Sequence, residues 1–165
     1  MKHEGENAPS FSPECNLRGY KEKKNMKHDI EASDVHGKAV LVRVTKTYKP
    51  AMTKREVYDI ARWAWWRMSI PRASQCDYVF AVARDESDKG RIVGVFRPTK
   101  WGRVGKITPP KNNPNVKNDL AEGVRVAFEG AIADDATWAK YVGRSVSETF
   151  CNGRKHPMPY EYFNC

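Results

Sequence analysis

Cationic and aromatic side chains recur close together in two stretches of this chain, and these residue types suit the binding of nucleic acid. Arginine and lysine contact phosphate oxygens, and a tryptophan ring stacks on a nucleobase. The two stretches, with one arginine at a strand end, supply the candidate nucleic-acid-binding residues Arg62, Trp63, Trp66, Arg97, Lys100, Trp101, Arg103 and Lys106. Their types indicate a binding surface rather than a catalytic centre.

The main candidate for catalytic chemistry is a group of carboxylates late in the chain. Glu129, Asp134 and Asp135 are close in sequence, and converging carboxylates hold a divalent metal in some nucleases. The alternative is that Glu129 lies on a sheet face and Asp134 caps a helix. The chain contains no G-x-x-x-x-G-K-[ST], no H-E-x-x-H and no G-x-S-x-G. We therefore predict no catalytic residues, no metal and no cofactor.

The cysteines and the hydropathy pattern bear on the compartment. The four cysteines, Cys15, Cys76, Cys151 and Cys165, include no C-x-x-C pair and none with histidine at zinc-ligand spacing. Scattered cysteines of this kind are typical of a reducing cytosol. No apolar run reaches signal-peptide or transmembrane length. The expectation is a cytoplasmic protein that does not enter a membrane.

The charge balance favours a polyanionic partner. The 165 residues include 29 Lys+Arg and 20 Asp+Glu, which gives a formal net charge of +9. Nucleic acid is the commonest partner of such proteins, although many small basic proteins bind nothing acidic specifically. The 40% hydrophobic content and the length suit a single folded domain.

A helix predicted over residues 53–68 must position the first stretch. Thr53 and Glu56 have the spacing of a capping box, and Pro71 follows the predicted end. Val57 belongs to an apolar face at helical spacing, whereas Trp66 falls nearly opposite it. Trp66 is therefore covered by a second layer, part of an aromatic ligand surface, or part of a surface for a protein partner.

The other elements are mostly strands. They are predicted at residues 38–46, 77–84, 91–97, 124–130 and 159–164. The first is apolar on both faces, which indicates a central position, and the last is predicted at an edge. Gly94 within the third strand indicates a bulge or a close approach. Residues 98–123 lack a regular pattern and are predicted to form a long basic loop.

Helices and a terminal arm complete the prediction. A short helix is predicted over residues 136–141, capped by Asp134 or Asp135, and a second begins near Ser145. Residues 1–37 have almost no apolar periodicity and are predicted to be a disordered or loosely docked basic arm. Residues 38–165 would then form one domain that folds without the arm.

The element order, with the hairpin segments 78–82 (Tyr-Val-Phe-Ala-Val) and 91–96 (Arg-Ile-Val-Gly-Val-Phe), resembles that of PUA-like domains of the EVE, ASCH and YTH type. The resemblance covers about residues 38–165 and implies an α+β fold. Such a fold has a small, curled, mostly antiparallel sheet or barrel, one main helix and short C-terminal helices. PUA-like domains commonly bind RNA or modified bases in a cleft, often with aromatic residues. The runs that begin at Phe128, Tyr141 and Tyr162 are similar to a family of uncharacterised bacterial and phage proteins.

These observations lead to one main hypothesis and two alternatives. The main hypothesis is a nucleic-acid-binding module that reads a modified or flipped base. The first alternative is a nuclease or nucleotide-processing enzyme that uses Glu129 and nearby carboxylates. The second is a protein-binding module of a phage or defence system, for which an exposed apolar patch around Trp63 and Trp66 would be the indication.

Overall fold

Five strands form one mixed sheet in the computed structural model, which describes residues 29–30, 32–63, 68–86, 89–111, 116–117, 123–146 and 160–164. They are β1 (Ala39–Arg43), β2 (Tyr78–Arg84), β3 (Gly90–Arg103), β4 (Val126–Ile132) and β5 (Tyr160–Phe163). Their order is β4-β3-β2-β1-β5, with β1 and β2 parallel and the other neighbours antiparallel. The α+β class and the mostly antiparallel sheet are confirmed. The described strands form an open sheet that does not close into a barrel.

The sheet is buried on both faces, which explains why β1 is apolar throughout. Val40 and Val42 lie in a first cluster with Val57, and Leu41 lies in a second cluster with Tyr141. β1 pairs with β2 on one side and β5 on the other, so its central position is confirmed. The edge position of β5 is confirmed as well.

The main helix, α1 (Lys54–Ala61), covers the first cluster and is shorter than predicted. Its start is confirmed, because Thr53 and Glu56 form the reciprocal capping box. The prediction that it continues to Met68 is wrong, since the chain leaves the helix at Arg62. The Arg62 carbonyl accepts a hydrogen bond from the Phe128 N–H of β4 at 2.9 Å, which redirects the backbone along the sheet edge. A short helix, α2 (Ile70–Ala73), follows.

β3 extends through Arg103, so the prediction of a loop from residue 98 is wrong for its first six residues. Pairing with β4 holds this segment in a strand, with Trp101 opposite Phe128. The pattern was hidden by Pro98 and by a register shift between Pro98 and Lys100. At this shift β3 approaches Gly130 so closely that a Cβ there would collide with the Arg97 carbonyl.

Gly94 marks a second irregularity in β3, as predicted. The β2–β3 register shifts between Ala81, which pairs with Gly94, and Val82. A Cβ on Gly94 would stand 2.6 Å from the Phe96 ring and 3.0 Å from Val57 of α1. The missing side chain lets α1 pack closely on the sheet.

A last helix, α3 (Asp135–Tyr141), packs Tyr141 into the second cluster and is capped by Asp134, as predicted. The predicted second helix, from near Ser145 to near Gly153, lies mostly outside the described residues; Ser145 and Val146 form isolated β-bridges. No helix among the described residues is long and apolar enough to cross a membrane.

The described end of the predicted arm packs on the domain. Ile30 is 1% exposed and Val35 is 5% exposed, and both belong to the second cluster. The Ile30 N–H donates to the Ser145 carbonyl at 2.7 Å, and Asp34 forms an ion pair with Arg144 at 2.8 Å. The part of residues 1–37 that the structure describes therefore contributes to the core.

Candidate nucleic-acid interface

β3 and β4 form a two-stranded ribbon that continues past the residues of β3 paired with β2. The last such pair joins Val79 and Phe96, whereas β3 pairs with β4 as far as Arg103. We name residues 97–103 of β3 and 126–131 of β4 the basic ribbon. Its β3 segment is about 23 Å long at the rise of an antiparallel strand.

One face of the basic ribbon packs against α1, and an aromatic group fills this contact. Trp101 lies across from Phe128, with ring centroids 4.9 Å apart. Tyr58 of α1 meets Phe128 edge to face at 5.9 Å. Trp101 is consequently half-buried, and much of its ring surface is used within the protein. We name this the α1 face.

The outer edge of β4 is bonded to α1 rather than to another strand. The Tyr58 hydroxyl accepts a hydrogen bond from the Gly130 N–H at 2.8 Å and donates to the Gly130 carbonyl at 2.9 Å. The Phe128 N–H donates to the Arg62 carbonyl. These bonds use backbone N–H and C=O groups that an exposed edge strand would otherwise offer to a neighbouring chain.

The opposite face of the basic ribbon is covered by residues 104–108 and by Trp63. Trp63 is 4% exposed and forms a third cluster with Val104, Ile107 and Ala127. Gly102 permits this cover, because a Cβ there would stand 3.2 Å from Ile107. The chain after α1 thus passes around the edge of β4 and places the Trp63 ring in the interior.

Thr108 is held on this opposite face by two charged side chains. Its N–H donates to a Glu129 carboxylate oxygen at 3.0 Å, and its carbonyl accepts from the Arg62 guanidinium at 2.8 Å. The Thr108 hydrogen bond is the main cause that lowers the pKa of Glu129, with smaller contributions from the positive charges of Lys100 and Arg62. Glu129 is therefore an ionised structural group at neutral pH.

Basic side chains lie at the end of the basic ribbon and in the segment of chain that follows it. Arg103, Lys106, Lys111 and Lys117 are exposed, and none has an acidic partner among the described residues. Lys100 is 60% exposed and lies 4.0 Å from Glu129, which already bonds Thr108. The described residues between 98 and 125 include no acidic side chain. The two acids in this part of the sequence, Asp119 and Glu122, lie outside the described residues.

The structure places most of the predicted site residues around this ribbon, in different roles. Arg62 is 5% exposed and binds Thr108, and Trp63 is buried, so neither presents an open surface. Arg97 lies on the ribbon but pairs with Asp134 at 3.0 Å. Lys100, Arg103 and Lys106 are exposed. Trp66 lies outside the described residues.

Two indole N–H groups at this end of the molecule are buried without an acceptor. The Nε1 atoms of Trp63 and Trp101 have no hydrogen-bond partner in the described part of the structure. A buried donor left unpaired costs about 1–3 kcal/mol. The packing of the two rings must therefore offset this cost.

The carboxylates considered for catalysis have separate structural partners. Asp134 accepts hydrogen bonds from the Thr137 N–H at 2.9 Å and from Arg97 at 3.0 Å, and Asp135 pairs with Lys54 at 3.0 Å. The described residues contain no group of three or more His, Cys, Asp or Glu side chains arranged to hold a metal ion. This arrangement gives the nuclease alternative no support.

Sequence reasoning missed Thr108 and left Lys111 and Lys117 out of the candidate binding residues, although it placed both in the basic loop. Thr108, which anchors the covering segment through its backbone, has no sequence signal, because any residue offers the same groups. Lys111 and Lys117 had a signal, since they belong to the same basic stretch as Lys106.

Comparisons with protein-family models, with curated proteins and with solved structures find no significant match to this chain. The functional argument therefore depends on the ribbon itself.

Proposed function

We propose that the protein is a nucleic-acid-binding module and that the end of the basic ribbon is its binding surface. The observation that carries the proposal is the concentration of exposed cations at this end, with no acidic side chain between residues 98 and 125 in the described part of the chain. Uncompensated cations on a supported β-ribbon attract phosphates and release their counterions.

The packing and hydrogen bonds beneath these cations favour a binding surface that is preformed in the free protein. The covering segment is tied to the ribbon by Glu129 and Arg62, and the third cluster lies under it. A surface of this kind loses little conformational freedom when it binds. The reading of a modified or flipped base and the PUA-like resemblance remain predictions.

The test is binding of labelled single- and double-stranded DNA and RNA by the full chain, measured by fluorescence anisotropy between about 50 and 200 mM salt. Five exposed cations, with Lys100 included, predict a slope of log affinity against log salt of about −3.5 to −4.5. The Arg103→Glu/Lys106→Glu double variant should reduce the magnitude of that slope by about 2 and weaken all sequences alike.

A matched control reverses two charges elsewhere. Lys46 and Lys89 are exposed at the end of the sheet away from the ribbon, near the end of β1 and the β2–β3 turn. The Lys46→Glu/Lys89→Glu variant has the same net charge as the ribbon variant and should bind nearly as wild type. Equal losses in the two variants, or no binding of any nucleic acid at micromolar protein and low salt, would refute the proposal.

A further inference from the structure

The cations of the basic ribbon, together with Lys106 in the turn after Arg103, lie on both faces of the ribbon. Arg103 pairs across the ribbon with Val126, whose side chain lies in the first cluster, so Arg103 is on the α1 face. Lys100 pairs with Glu129 on the opposite face. Lys106 is on that opposite face too, because its Cβ is 3.8 Å from the point where a Gly102 Cβ would be.

The aromatic rings of the ribbon face inward. Trp63 is 4% exposed, and Trp101 is half-buried against Phe128. Proteins that bind single strands stack bases on exposed aromatic rings, and stacking contributes much of their affinity. Trp63 is closed to a base and Trp101 exposes only part of its ring, so this surface depends mainly on phosphate contacts.

We infer that the basic ribbon binds a nucleic-acid duplex through its phosphates, with cations of the two ribbon faces contacting the two rows of phosphates that border one groove. The inference rests on the proposed function and specifies its substrate. A duplex presents two rows of phosphates, which border a major groove about 12 Å wide in B-DNA. A single strand has one row and would engage one face.

The experiment compares neutral substitutions on each face of the full chain. Arg103→Gln removes the charge on the α1 face, and the Lys100→Gln/Lys106→Gln variant removes those on the opposite face. Glutamine avoids placing a second carboxylate beside Glu129. Each variant is titrated with a duplex and a single strand of equal length, in DNA and RNA arms, and its melting temperature is checked against wild type.

The expected result is at least tenfold tighter binding of duplex than of single strand. On the duplex, Arg103→Gln should lower the magnitude of the salt slope by about 0.9 and the double variant by about 1.8. The DNA and RNA arms show which duplex geometry the ribbon accepts.

Other results have distinct meanings. Equal or tighter binding of the single strand, or a duplex affinity that depends on one face alone, overturns the inference and leaves the proposed function standing. Absence of binding to every probe overturns both. Sequence-independent duplex binding with contributions from both faces supports the inference.

Discussion

Removal of the Tyr58 hydroxyl tests whether α1 closes the outer edge of β4. Tyr58 is 4% exposed, and its hydroxyl bonds both the N–H and the carbonyl of Gly130. Tyr58→Phe keeps the ring contacts with Phe96 and Phe128, whose centroids are 5.3 and 5.9 Å away. The substitution therefore removes hydrogen bonds without creating a large cavity.

The magnitude follows from the two backbone groups that lose their partner. Each unpaired group costs about 1–3 kcal/mol, and the half-buried position of Gly130 favours the lower part of that range. We expect a loss of about 2–3 kcal/mol in the free energy of unfolding. For a domain of this size, that lowers the melting temperature by about 4–12 °C.

Urea unfolding followed by circular dichroism measures this loss. Tyr78→Phe is the matched control, because the Tyr78 ring stacks on Phe80 at 6.1 Å while its hydroxyl has no hydrogen bond to the described residues. The control should change the free energy of unfolding by less than about 0.5 kcal/mol. If the two variants lost the same amount, the hydroxyl would not be what holds the edge of β4.

Two further predictions concern the N-terminal segment and the cap of α3. Ile30→Ala should lower the free energy of unfolding by about 2–5 kcal/mol, measured by denaturant unfolding, because Ile30 is buried. A chain that begins at Lys38 should also melt at a lower temperature than one that begins at Asp29. Equal melting temperatures would show that residues 29–37 are dispensable. Asp134→Asn keeps a capping side chain but removes a carboxylate whose pKa is lowered to about 2, mainly by the Thr137 hydrogen bonds. The lowered pKa of Asp134 stabilises the folded state at pH values above 3.8, the ordinary pKa of the group. The difference in the free energy of unfolding between wild type and variant should therefore be largest at pH 7 and should disappear as the pH falls from about 4 to 2. A gap that stayed constant over that range would exclude the charge as its cause.

The sequence alone determined the features that depend on neighbouring residues. The capping box at Thr53, the Asp134 cap and the central position of β1 were all readable, because each depends on side chains a few residues apart or on a run of apolar residues. The concentration of charge between Lys100 and Lys106 was readable for the same reason.

Only the tertiary structure decided where α1 ends, how far β3 extends and which way the tryptophans face. α1 ends because the Arg62 carbonyl bonds Phe128, and β3 continues because β4 pairs with it. Those partners are distant in the sequence, so no local sequence pattern predicts these contacts. The same contacts turn Trp63 into the third cluster and leave the neighbouring cations exposed. A tryptophan beside an arginine has the same sequence whether its ring is buried or open, and long-range packing alone makes that choice.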